Sequence, residues 1–125
     1  MVVEKKSEKI LATSFSAGKT HDFALFKRCG LKISKRTRID IDLGYKGIHK
    51  IHSNCRIPKK KSKYHPLTKT DIAENKRIAR SRILVEHVIR RLKIFRILSE
   101  RYRNRRKRFE LRMNLIAGIY NFENV

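Results

Sequence analysis

The sequence predicts an α/β protein in which a short mixed sheet is followed by a long helix and a C-terminal helix. Three observations carry that class. Residues 10–16 (I-L-A-T-S-F-S) and 35–41 (K-R-T-R-I-D-I) alternate β-branched or aromatic residues with polar ones, as half-buried strands do. Over residues 68–96 the apolar positions fall at helical spacing: Ile72, Ile78 or Ala79, Val85, Val88 or Ile89, and Leu92. A last apolar stretch, with Leu111, Leu115, Ile116, Ile119, Tyr120 and Phe122, predicts a final helix.

Taken in order, residues 1–4 form a first short strand that turns through the charged K-K-S-E-K and pairs with residues 10–16. Thr20 is placed to cap a helix that opens at His21-Asp22 and has Phe23, Leu25 and Phe26 on its apolar side. Cys29-Gly30 should end that helix, because glycine suits the residue after a helix C-terminus. The strand over 35–41 should stop near Asp42, before L-G-Y-K-G. Residues 49–66 have no clean period and read as a loop containing the basic run Lys59, Lys60, Lys61, Ser62 and Lys63. Thr68 and Asp71 have the spacing of a capping box at the start of the long helix.

The chain has 125 residues, enough for one modest core and one domain, and it contains no internal repeat. Its 33 Lys and Arg against 11 Asp and Glu leave a formal charge of +22, and no acidic tail balances them. Such a field attracts polyanions, of which nucleic acid is the commonest and an anionic membrane surface the other candidate. No apolar run is long enough to span a bilayer, and the opening M-V-V-E-K-K-S-E-K lacks the apolar run of a signal peptide. Cys29 and Cys55 stand apart without C-x-x-C spacing, which suits a reducing, cytoplasmic setting. Hydrophobic content of 40% argues for a folded core.

The stretch over residues 82–93, R-I-L-V-E-H-V-I-R-R-L-K, carries the most distinctive chemistry. One acid, Glu86, stands among Arg82, Arg90, Arg91 and Lys93. On a helix Arg82, Glu86 and Lys93 fall within roughly 40° of one another. A surface ion pair between Arg82 and Glu86 is the ordinary reading of that spacing. The other is a metal-binding carboxylate flanked by phosphate-binding cations. Glu86 is the only acid between Glu74 and Glu100, which favours the second.

Asp42, exposed at a strand end before a glycine turn, is either a turn-starting aspartate or a second metal carboxylate. Asp40 is its rival if the strand register differs. Carboxylates from separate elements suit Mg²⁺ or Mn²⁺, and two such ions about 4 Å apart can drive phosphodiester displacement, given a further carboxylate. His49, His52 and Cys55 could be three zinc ligands, but no fourth stands at useful spacing. His21 and Asp22 could orient a side chain near the site, or merely open a helix. Lys59, Lys60, Lys61 and the arginines between Arg96 and Arg108, Arg105 and Arg106 among them, lack neutralising neighbours except Glu100. They are candidate DNA phosphate contacts, which position a duplex without reading its bases.

Three segments occur in an order that resembles a known family: G-K-T-H-D-F-A-L-F-K from Gly18, D-L-G-Y-K-G-I from Asp42, and R-x-x-x-E-x-x-x-x-x-x-K through Arg82, Glu86 and Lys93. The chain continues as I-F-R-I-L-S-E-R-Y-R-N-R-R-K-R and N-L-I-A-G-I-Y-N-F. Together these resemble the C-terminal part of the DDE transposases of bacterial insertion sequences, in the group related to Harbinger elements. The resemblance implies a ribonuclease H-like fold that cuts and joins DNA with two Mg²⁺ or Mn²⁺ ions held by Asp, Asp and Glu. Asp42 matches the second aspartate, Glu86 the glutamate, and Arg82 and Lys93 the cations thought to handle the DNA backbone.

Two positions depart from the pattern. Ala79 stands where the family signature has tyrosine, and no residue matches the first aspartate, since Glu4 and Glu8 lie in the wrong segment. The resemblance therefore implies an incomplete ribonuclease H-like domain, a fragment lacking its first strand. Such a fragment would bind DNA in the nucleoid without cutting it, and could join another transposase chain. The competing expectation is a non-catalytic basic nucleic-acid-binding protein, which the charge supports equally but the three ordered motifs do not.

Overall fold

The computed structural model describes residues 1–16, 18–101 and 106–124, with the Arg106 side chain left out. The chain divides into two compact units. One combines residues 1–15 with 83–125, and the other covers residues 16–82.

In the discontinuous unit, β1 (Val2–Val3) and β2 (Ile10–Ala12) form the expected hairpin, shorter than the sequence pattern suggested. They pair antiparallel, Val2 opposite Ala12 and Val3 opposite Ile10, with an irregularity between the two pairs. Ahead of β2, Glu8 takes the left-handed φ of 56° and meets Arg91 at 3.5 Å. The C-terminal helix α4 (Phe109–Glu123) secures β2 through Asn121. Its Oδ1 accepts the Ile10 N–H and its Nδ2 donates to the Ile10 carbonyl, both at 2.8 Å, as a neighbouring strand would. Ile10, Val88, Leu92, Met113, Ile116, Ala117 and Tyr120 make the core, with Val3, Phe15, Ile97 and Leu98 against it. The Tyr120 hydroxyl is buried there without a hydrogen-bond partner among the described residues. α4 thus turns Met113, Ile116, Ala117 and Tyr120 inward, while Leu111, Leu115, Ile119 and Phe122 face outward.

The second unit contains α1 (Asp22–Arg28) and a parallel pair, β3 (Ile39–Asp40) with β4 (Cys55–Arg56). Thr20 does not cap α1. The cap position is His21, in extended conformation and without a side-chain cap bond. α1 ends as expected at Cys29, and Gly30 follows with φ 61°, where a side chain would be strained. β4 lies in the stretch that reads as loop, because two residues are too few to show a period. Parallel strands need a crossover. Here the crossover is two 3-10 turns, Leu43–Tyr45 and Ile48–Lys50, instead of a helix. Gly47 between them has φ 89°, a conformation open to glycine. Ile41, Ile48 and Cys55 are the core, with Phe23, Phe26, Ile39, Tyr45 and Ile57 packed on it. The single mixed sheet expected from the sequence is thus two separate two-stranded ladders among the described residues.

The long helix α2 (Lys69–Leu92) runs through both units. Its start is the capping box that the sequence announced. Thr68 N–H donates to Asp71 Oδ2 and Asp71 N–H to Thr68 Oγ1, each at 3.2 Å. Of the paired alternatives, Ile78 and Val88 are buried while Ala79 and Ile89 are exposed. The helix stops at Leu92, before the expected 96, and a short α3 (Arg96–Ser99) resumes after Phe95.

Candidate functional site

Two aspartates flank the end of β3, and the structure gives them different surroundings. Asp40 is within the ladder, opposite Arg56. It takes both forks of the guanidinium: Arg56 Nε donates to Oδ1 at 2.7 Å and Nη2 to Oδ2 at 2.9 Å. The third nitrogen, Nη1, reaches Glu74 of α2 at 3.2 Å. Arg56 therefore ties β3, β4 and α2 together, and the hydrogen bond it donates to Asp40 raises its pKa. Asp40 is thus held bidentately by arginine.

Asp42 lies just beyond the strand and opens the Leu43–Tyr45 turn. Its Oδ1 accepts the Leu43 N–H at 2.7 Å, and its carbonyl accepts the Tyr45 N–H at 3.1 Å. Both bonds hold the carboxylate at a stiff junction while its side chain stays 49% exposed. The cation beside it is Arg82 of α2, whose Nη1 lies 3.3 Å from Oδ1. The structure thus joins the strand-end aspartate to Arg82 within one unit.

Tyr45 completes this corner, and sequence reasoning passed it over as a turn residue. Its ring meets Phe23 at 5.9 Å and Phe26 at 6.1 Å, both edge-on, which anchors the turn to α1. Burial, followed by the charges of Asp22, Asp42 and Cys29, pushes its phenol pKa up and keeps the hydroxyl protonated. His21 is exposed at the cap position of α1. Arg56 was the other omission, since nothing periodic marks β4. Its signal was indirect: an acid inside a strand needs a cation opposite.

Glu86, Arg90 and Lys93 are exposed in the other unit. Glu86 has no ion-pair partner among the described residues, and Arg82 pairs with Asp42 instead of with it. Lys59 meets Asp71 at 2.6 Å, and its backbone is bracketed by Asn75 through two bonds of 2.9 Å. Its side chain nevertheless remains 70% exposed. Lys60 and Lys61 are exposed. Arg105 and the Arg106 side chain lie outside the described residues.

His49 and Cys55 do meet, with Nδ1 3.2 Å from Sγ, but His52 is buried and turned to the Thr37 carbonyl at 2.8 Å. Burial raises the Cys55 thiol pKa. Among the described residues no three His, Cys, Asp or Glu side chains are placed to hold a metal ion. Asp42 fits Mg²⁺ or Mn²⁺ as one hard oxygen donor. Among the described residues a complete two-ion set is not assembled.

A cleft of about 530 Å³ between Ile57, Lys59 and the start of α2 is lined by Asp71, Glu74 and Arg77, which pair with neighbouring charges. No helix among the described residues is long and apolar enough to cross a membrane.

Comparison with known proteins agrees with the motifs. Residues 1–122 match the family described as the transposase DDE domain. The chain is 50% identical over 123 residues to the "Probable transposase for insertion sequence element IS702" of Microchaete diplosiphon, covering 98% of this chain and 45% of that protein. No solved structure matches. Identity of this extent, sustained almost from end to end, does not favour an unrelated basic protein, and the chain belongs to the transposase DDE domain family.

Proposed function

We propose that the chain is the part of a DDE transposase catalytic domain that grips the DNA backbone and supplies two of three metal carboxylates, Asp42 and Glu86. The observation that carries this is the 3.3 Å pair between Asp42 and Arg82, which ties the D-L-G-Y corner to the helix bearing R-x-x-x-E-x-x-x-x-x-x-K. Mg²⁺ or Mn²⁺ bound there would polarise a phosphodiester and activate a hydroxyl or water. Lys93, Arg90, Lys60 and Lys61 bind phosphates, with Lys59 released from Asp71 on contact, and Arg105 and Arg106 are further phosphate contacts by the sequence reading.

The domain is of ribonuclease H-like ancestry, the chain corresponds to its C-terminal part, and its group is the Harbinger-related one. The chain spans 45% of the IS702 relative's length, and none of its residues matches the first aspartate of the family pattern. Alone it binds DNA, in the nucleoid, and does not cut it; cutting needs the missing carboxylate, in company with another transposase chain. Incubation of the purified chain with supercoiled plasmid and Mn²⁺ tests this. The expected result is a retarded but intact plasmid. Nicking that vanishes in Glu86→Gln would show that the chain cuts alone.

A further inference from the structure

The C-terminal helix α4 has a second apolar side that the core does not use. Leu111, Leu115, Ile119 and Phe122 fall within about 80° of one another around the helix. They are exposed, Leu111 by 70% and Phe122 by 81%. Met113, Ile116, Ala117 and Tyr120 occupy the buried side, so α4 is apolar on both sides, as a helix covered on both is. Gly118 lies on the outward side too, about 20° from Leu111. A glycine inside a helix lowers its stability relative to alanine, and a Cβ added here would meet nothing within 4 Å. Packing within the chain gives no reason for that glycine, whereas close approach by another helix does. The charge on α4 favours a second copy as that neighbour. α4 has two acids, Glu110 and Glu123, against Arg112, in a chain of net charge +22. Copies that met through α2 or the 59–63 run would bring cations together, and a meeting at α4 avoids that repulsion.

We propose that the outward side of α4 is a self-association surface, on which two copies of the chain pair antiparallel about a two-fold axis. Such a contact uses the same patch on both copies and must therefore complement itself. The stripe does. Setting Leu111 opposite Phe122 of the partner subunit places Leu115 over Gly118 of the partner subunit, and symmetry repeats both contacts. The leucine fills the space that the glycine leaves open. A contact between two helices of 15 residues is at the small end of interface sizes, below about 1,200 Å², so association is reversible and micromolar. The inference is independent of the reading of Asp42 and Glu86 as metal ligands, which the plasmid assay tests.

Sedimentation velocity of the full chain, freed of nucleic acid, tests the contact across micromolar concentrations. The expected result is a monomer–dimer equilibrium that strengthens with added salt, because salt screens the repulsion between cationic copies. Binding to DNA moves the opposite way with salt. Leu115→Ser removes the inserted side chain, and Gly118→Gln puts a good helix former into the space it needs. Each should weaken the dimer by about ten-fold or more while the circular dichroism stays that of wild type. Ile94→Ser, at an 80% exposed residue of the same unit but outside α4, should leave the dimer unchanged. A chain that stays monomeric throughout overturns the proposal and leaves the stripe to a different partner, such as another section of a transposase. A dimer that salt disperses, or one that survives both Leu115→Ser and Gly118→Gln, overturns it as well, because the contact then lies elsewhere.

Discussion

Two positions apart in sequence, Asp40 and Asp42 differ in how many of their oxygens the protein uses. Asp40 gives both to Arg56, and its side chain is only 15% exposed. Asp42 has Oδ1 on the Leu43 N–H and on Arg82, at the surface. The same substitution should therefore have unequal effects at the two sites. Asp40→Asn leaves a partly buried guanidinium short of charge and should cost about 1–3 kcal/mol of stability in urea unfolding. Asp42→Asn keeps a side-chain oxygen for the turn, since Asn opens turns and helices as well as Asp, and should change stability by less than about 0.5 kcal/mol. Equal losses at both positions would show that Asp42, too, is structural.

Among the elements, α2 depends most on its own first turn. Thr68 and Asp71 exchange hydrogen bonds at its start, and Lys59 adds an ion pair to the same carboxylate at 2.6 Å. Thr68→Ala should cost about 1 kcal/mol and fray the first turn, visible as faster amide exchange there. The Lys59 hydrogen bond, followed by those of Thr68, holds the Asp71 carboxyl below its ordinary pKa. A folded pKa below the unfolded value means that the cap's contribution is complete above about pH 4 and fades as pH falls through the lowered pKa. The opposite arrangement is seen in α4, whose outward Leu111, Leu115, Ile119 and Phe122 contribute nothing to the core.

For the molecule as a whole, on the proposed reading, the +22 charge would dominate binding to DNA. Affinity for a duplex should fall linearly with salt on logarithmic axes, by about 0.9 per phosphate neutralised. Replacing Lys60 and Lys61 with Gln should lower that slope by up to about 2 if both reach phosphates, with equal effect on any duplex sequence. A slope that stays put would take the 59–63 run out of the DNA surface. Sequence preference is not expected from contacts of this kind, because phosphates carry no base information.

Local signals were legible where one element contains its own cause. The capping box at Thr68 and Asp71, the glycine after α1, the hairpin and the helical period of α2 all depend on residues a few positions apart, so the chain itself displays them. The motif order that marks the transposase family is likewise a property of the chain alone. Tertiary structure decided what depends on residues distant in sequence. It paired β3 with the two-residue β4, chose Ile78 over Ala79 and Val88 over Ile89, and gave Asp40 to Arg56 and Asp42 to Arg82. A carboxylate's role depends on which cation the fold brings within about 3 Å of it, and no spacing rule carries that information.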